Sequence, residues 1–170
     1  IGTHIAYDIG VKQLALKLSE KLNTHLVMGE YSRLLIDLNR GIMDPTLIPS
    51  ISDGVKIVQN YKLSSRDKKF RINEIYNNYN DTIYRIIKRE KINLIISLHS
   101  FNPYYKKKKR NIKFGILSNS DRRYSDIIIE ILSKKGYRVG DNQPYEGNLI
   151  EDTMYRHGLR NGVLHTLIET

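Results

Sequence analysis

Ile92-Asn93-Leu94-Ile95-Ile96-Ser97-Leu98-His99-Ser100-Phe101-Asn102-Pro103 is the stretch on which the fold turns. Residues 92–98 form a nearly continuous apolar run, which predicts a strand buried on both faces of a sheet. The run ends directly at His99, and Pro103 closes the turn that follows.

Upstream, Phe70, Ile75, Tyr79, Ile83 and Ile86 share one face of a helix predicted over residues 65–89. Residues 41–64 hold Gly41, Pro45, Pro49 and Gly54 and keep no sustained period. Connections of that length usually serve function or form a lid. Residues 25–28 read as a short strand. Asp8 is placed to cap a helix over residues 9–22, with Val11, Leu14, Ala15, Leu18 and Leu22 at spacings of three and four.

Downstream, residues 112–117 read as a strand. Residues 121–135 read as a helix with Tyr124, Ile127, Ile128, Ile131 and Leu132 inward and Gly136 as its stop. A short strand or turn at 139–142, a helix at 151–160 and a last strand at 163–168 complete the chain. Helices alternating with short apolar strands indicate an α/β domain with a largely parallel or mixed sheet. No repeat or low-complexity linker divides the chain, so one domain is expected.

The composition narrows the classes. The 170 residues carry 28 Lys and Arg against 18 Asp and Glu, a formal charge of +10, and 40% are hydrophobic. That is globular rather than disordered composition, on a chain long enough to bury a core. The absence of cysteine excludes disulfide scaffolds, thiolate zinc fingers and cysteine nucleophiles. No apolar run approaches the roughly 20 residues of a membrane span and no leader pattern is visible, so the cytoplasm is the simplest home and no membrane partner is expected. The run Lys106-Lys107-Lys108-Lys109-Arg110 supplies much of the excess charge. It reads either as a solvated loop or as a patch for phosphates or acidic partners. The abundance of Ile (24), Asn (14) and Tyr (12) fits an AT-rich coding bias, which raises lysine content without a functional demand.

In open α/β sheets, ligands gather outside the carboxyl ends of strands. Arg40, His99 and Glu169 fall at such places. In Ser32-Arg33-Leu34-Leu35-Ile36-Asp37-Leu38-Asn39-Arg40, charges are embedded among apolar residues. Either an Arg33–Asp37 or Arg40–Asp37 ion pair braces a loop, or Arg40 and Asn39 grip a substrate carboxylate through the planar guanidinium fork. His99 at a strand end is either a hydrogen-bonded structural residue or a metal ligand. The other histidines, His4, His25, His157 and His165, lack metal-ligand spacing to one another. Ser100 has no Gly-x-Ser-x-Gly elbow, which argues against a serine triad. Glu169 is a candidate general base. Residues 141–147, Asp-Asn-Gln-Pro-Tyr-Glu-Gly, read as a surface turn or as a loop lining a pocket.

Taken in order, five segments are similar to those of a known family. His4-Ile5-Ala6-Tyr7-Asp8-Ile9-Gly10, the stretch Ser32 to Arg40 quoted above, His99-Ser100-Phe101-Asn102-Pro103, Gly140-Asp141-Asn142-Gln143-Pro144-Tyr145-Glu146-Gly147 and Leu167-Ile168-Glu169 resemble the N-formylglutamate amidohydrolase family. The match runs over essentially the whole chain. The resemblance implies the fold of zinc carboxypeptidases and aspartoacylases. That is an α/β class, three-layer α/β/α domain with a mixed, largely parallel sheet, phosphorylase/hydrolase-like, over residues 1–170.

It also implies one zinc ion, held by His99 and by a Glu and a His of an early Glu-His-Ala segment that these residues do not contain. Two ligands are thus expected upstream of Ile1. The domain is expected to be truncated there and just after the last strand, and the chain alone to be incomplete as an enzyme. By the same resemblance Asn39 and Arg40 receive the substrate carboxylate and Glu169 handles protons; Arg33 and Asn142 are further candidate substrate-binding residues. Where the family has an aromatic-His pair in its long helix, this chain has Tyr79-Asn80.

The implied reaction is zinc-dependent hydrolysis of a small anionic N-acyl amino acid, N-formylglutamate going to glutamate and formate. Two other readings compete with it. One is a basic nucleic-acid-binding module using residues 106–110 with Tyr104 and Tyr105; the other is a family member that binds ligand without catalysis. Nucleic acid is not the expected partner. Asn39, Arg40, His99 and Glu169 are expected to converge on one cleft, and residues 106–110 to be exposed, with Arg110 the exception. His4 and Asp8, four residues apart, are conceivable substitute metal ligands, although Asp8 is expected at the helix cap.

Overall fold

The computed structural model describes residues 5–105 and 108–170. Helix α1 (Val11–Leu22) comes first, then the hairpin β1 (Ile51–Ser52) and β2 (Val55–Lys56) and the single turn α2 (Val58–Tyr61). A long helical stretch follows as α3 (Ser65–Arg71), a π-helical turn (Ile72–Asn77) and α4 (Asn78–Arg89). Then come β3 (Leu94–His99), the hairpin β4 (Tyr104–Tyr105) and β5 (Lys108–Lys109), β6 (Phe114–Leu117), α5 (Ser125–Lys134) and β7 (Val139–Asp141). A second π-helical turn (Met154–Gly158), a 3-10 turn (Leu159–Asn161) and β8 (Leu164–Glu169) end the chain. Among the described residues no helix is long and apolar enough to cross a membrane. The chain divides into two compact units, Ile1–Tyr7 with Leu16–Ile92, and Asp8–Ala15 with Asn93–Thr170.

In the first unit, Ser64 starts the long helix by accepting the Asp67 N–H at 3.1 Å, which satisfies one donor that a helix start leaves unpaired. The π-helical turn adds a residue to one turn and so rotates the apolar stripe. Tyr76, Ile83 and Ile87 are buried as a result, whereas Phe70, expected inward, is 62% exposed. Ile36, Leu47 and Tyr76 form the core here, with Leu38, Ile48, Ile72 and Ile75 packed against it. Residues 25–28 form no strand: only Leu26 and Val27 are half-buried, and neighbours in sequence cannot share one face of a sheet.

The second unit is built on a four-stranded sheet in the order β3-β8-β6-β7. β3 and β8 are parallel, β8 and β6 antiparallel, and β6 and β7 parallel, so the sheet is mixed. β3 stands at its edge and is half-buried along its whole length, which corrects the expectation of a strand covered on both faces. Alternation along β8 sends Thr166 to one face and His165, Leu167 and Glu169 to the other. Ser125 of α5 shares a 2.8 Å hydrogen bond with Thr166, so α5 covers the first face. Met154 of the second π-helical turn packs with Leu117 and Leu167, and Gly158 lies against the His165 ring, so this segment covers the second.

Gly136, at φ +83°, stops α5 as predicted: its N–H reaches Ser133 O at 2.9 Å and the Tyr137 N–H reaches Leu132 O at 3.1 Å. The inward side of α5 differs from the expected one. Ser125 is buried and Ile128, Ile129 and Leu132 are half-buried, while Ile127 and Ile131 face solvent.

Candidate active site at two parallel strand ends

His99 and Glu169 are the last residues of β3 and β8 and are partners in register. Because the strands are parallel, their carboxyl ends coincide and the two side chains leave the sheet on the same face. The ladder continues past them: the Thr170 N–H donates to His99 O at 3.0 Å and the Phe101 N–H to Thr170 O at 3.3 Å. Glu169 is only 7% exposed, unlike a typical glutamate near a chain end.

The His99 ring is held at both nitrogens. Nδ1 lies 2.7 Å from Asp8 Oδ2, and Nε2 lies 3.2 Å from Ser97 Oγ, two residues back on the same face of β3. Asp8 Oδ2 thus reaches across to the histidine. The Asp8 backbone carbonyl accepts the Val11 N–H at 3.4 Å. His4, the other substitute ligand considered, lies outside the described residues.

The turn at residues 140–147 packs against these strand ends because glycine leaves it room. A Cβ on Gly115, also a register partner of Glu169, would come within 2.3 Å of Gln143 O and 3.2 Å of Glu169 Cβ. A Cβ on Gly147 would lie 2.3 Å from Ser118 N. The Asn142 side-chain carbonyl accepts the Ser118 N–H at 2.9 Å, and its own N–H donates to Ile116 O at 2.9 Å. Asn142 thus ties the turn to the end of β6.

Arg110 joins this turn to the loop after His99. Its Nε donates to Asn102 O at 3.0 Å, and its guanidinium lies 5.7 Å from the Phe101 ring centre and 5.5 Å from that of Tyr145. Lys108 and Lys109 are exposed on β5; Lys106 and Lys107 lie outside the described residues.

Asp152 is a buried carboxylate on the same side that the sequence reading did not single out. Burial raises its pKa, opposed first by the Tyr155 N–H, which it accepts at 2.7 Å, and then by the Arg156 charge. An Asp three residues before an accepted N–H is a helix-capping signal, and that was the one trace it left in the sequence. Burial, with Arg156 adding to it, lowers the His157 pKa to about 4. His165 is buried between Val163 O at 2.8 Å and Asn119 Oδ1 at 3.1 Å, and His25 faces Glu90 at 4.0 Å.

The remaining predicted site residues lie in the first unit. Buried Asp37 gathers them. Its Oδ2 takes Arg33 Nη2 at 2.7 Å and Nε at 3.2 Å and lies 3.9 Å from Arg40 Nε, and its Oδ1 accepts the Asn39 N–H at 3.0 Å. The Tyr76 hydroxyl donates to Arg40 O at 2.7 Å, and Arg71 Nη1 donates to Leu35 O at 2.8 Å, so the segment is fixed on the long helix. Both ion pairs considered from sequence are therefore present. Arg33, Asn39 and Arg40 are brought together in one unit, and His99, Glu169 and Asn142 in the other.

The donor chemistry fits zinc only in part. An imidazole whose Nδ1 rests on a carboxylate is the usual form of a metal-binding histidine. A catalytic zinc, however, takes three protein ligands, and no group of three or more His, Asp or Glu side chains among the described residues could hold a metal ion.

Comparison with known proteins places this arrangement. No curated protein matches the chain. The crystal structure of a gene product from Agrobacterium tumefaciens is 30% identical and superposes with a TM-score of 0.92, covering 99% of this chain and 69% of that one. That likeness agrees with the α/β class read from the strand pattern. The family model described as N-formylglutamate amidohydrolase matches residues 2–170, and the chain accordingly belongs to the N-formylglutamate amidohydrolase family.

Proposed function

We propose that this chain carries the proton-handling and substrate-binding groups of an amidohydrolase that cleaves small anionic N-acyl amino acids, with N-formylglutamate as the first candidate. The observation that carries the reading is the shared rung of His99 and a buried Glu169 at the carboxyl ends of two parallel strands. In the proposed reaction the oxygen of water bonds to the formyl carbon and the carbon–nitrogen bond breaks. Glu169 takes a proton from the attacking water and returns it to the leaving nitrogen, so that formate and glutamate are released. Arg40 and Asn39 receive a substrate carboxylate. Arg33, through its fork on Asp37, keeps that segment in shape. Asn142 contributes by holding the turn beside Glu169 in place.

Zinc is the cofactor proposed with this reading, with His99 as its ligand from this chain and two more from outside the described residues. The described side chains do not complete such a set, so the steps assigned here are those of the chain's own groups. A cytoplasmic location goes with the same proposal. The test is hydrolysis of N-formylglutamate, followed by formate release, in a longer polypeptide that adds a Glu and a His donor. Release of formate that survives Glu169→Gln unchanged would remove Glu169 from the reaction.

A further inference from the structure

We propose that Asn60 is a positioning residue: with Arg71 it fixes the backbone at Leu34 and Leu35, and through that backbone it presets the Asn39–Arg40 grip on the substrate carboxylate. The inference deepens the amidohydrolase reading and rests on it for the role given to Asn39 and Arg40. Asn60 Nδ2 donates to Leu34 O at 2.6 Å and to Pro49 O at 2.8 Å, and its Oδ1 accepts from Arg71 Nη1 at 2.7 Å. Arg71 Nη1 also donates to Leu35 O at 2.8 Å. The chemistry admits one orientation of the amide, since backbone carbonyls can only accept and a guanidinium can only donate. Both amide hydrogens and the amide oxygen are thus in use, and the bond from the charged guanidinium is of the stronger kind.

The segment from Ser32 to Arg40, which receives this bracket, forms no helix or strand. Its shape therefore depends on where its backbone groups find partners. The Leu35 N–H donates to Ser32 O at 2.8 Å, the Arg40 N–H to Asp37 O at 3.1 Å and the Asp37 N–H to Leu47 O at 2.8 Å. The consecutive carbonyls of Leu34 and Leu35 accept from Asn60 and Arg71, which fixes two adjoining peptide planes. Apolar burial does not account for the place of Asn60. It lies in α2, a single turn with no buried residue, where Val58, Gln59 and Tyr61 are exposed and Asn60 alone is half-buried. The amide, not an apolar contact, joins this turn to the segment. The long connection over residues 41–64 therefore has a task. Through Leu47 and Asn60 it holds the segment at two points, so that the groups assigned to substrate are in order before it arrives.

The experiment is amide hydrogen exchange followed by NMR in this chain, with Asn60→Asp as the first variant. Aspartate keeps the size of the side chain and an oxygen for Arg71, but at neutral pH it has no hydrogen to give Leu34 O and Pro49 O. The Asp37 and Arg40 amide hydrogens are expected to exchange about ten-fold faster, on the scale of one lost hydrogen bond, while that of buried Ile87 in α4 keeps its rate. Arg71→Lys replaces the fork with a point charge; it is expected to speed the same two amides and serves if Asn60→Asp does not fold. Unchanged exchange at Asp37 and Arg40, or an equal rise at Ile87, would overturn the proposal. In the longer polypeptide that adds the two metal donors, Asn60→Asp is expected to raise KM for N-formylglutamate about ten-fold with kcat unchanged. A fall in kcat at constant KM would overturn the positioning role as well. Exchange is read without substrate, so a wild-type polypeptide that does not hydrolyse N-formylglutamate would count against the function and leave the bracket to be decided by exchange.

Discussion

Substitutions at His99, Glu169 and Arg40 separate three tasks. In a longer polypeptide that supplies the other two zinc ligands, His99→Ala is expected to lose metal, measured as zinc per chain. Glu169→Gln is expected to keep metal and lose about a hundred- to ten-thousand-fold in kcat, the usual worth of a positioned general base. Arg40→Lys is expected to raise KM more than it lowers kcat, because an ammonium cannot reproduce a two-pronged grip. Stability has its own residue-scale markers. Gly115→Ala forces a Cβ against the Gln143 carbonyl and is expected to cost about 1–3 kcal/mol in urea unfolding. His157 falls from an ordinary 6.5 to about 4 on folding, so its contribution is complete above pH 6.5 and is lost as pH drops through 4. Asp152, raised by burial, works in the opposite sense: its contribution is present below the ordinary carboxylate range and disappears as pH rises through its higher value. His157→Leu should flatten the acid limb of a stability–pH curve and leave the Asp152 limb in place.

Among the elements, β3, α5, β8 and the long helix were legible as segments, because each carries apolar residues at its own period. Their partners were not. An apolar run reads the same on a central or an edge strand, and only the sheet order shows that β3 stands at the edge. The π-helical turn left no pattern either, since one extra residue per turn turns Tyr76 inward and carries Phe70 out without changing composition. In the site, His99 and Glu169 were readable as strand-end polar groups, and Asp37 as a bracing carboxylate. The contact of Asp8 with His99 was not legible, because it joins residues 91 positions apart. Ser64 caps the long helix, and Ser64→Ala is expected to lower stability by about 1 kcal/mol, measured by thermal unfolding.

For the whole molecule, the candidate residues divide between two units, and so should their phenotypes. Asp37→Ala, which releases Arg33 and the Asn39 N–H in the first unit, is expected to raise KM and leave zinc content unchanged. Neutralising Lys108 and Lys109, which are exposed, is expected to leave turnover unchanged, whereas Arg110→Ala removes a bond to Asn102 and two ring contacts and should lower it. If the lysine change instead abolished salt-sensitive RNA binding, the net charge of +10 would have a partner after all. The shared rung of His99 and Glu169 has a consequence for how such a gene can vary in length. Insertions in the connections between β3 and β8 leave the pair adjacent, because ladder bonds and not chain distance hold it together. One codon inserted inside β8 would turn Glu169 to the face that α5 covers, so drift in length is open to the loops and closed to the two strands.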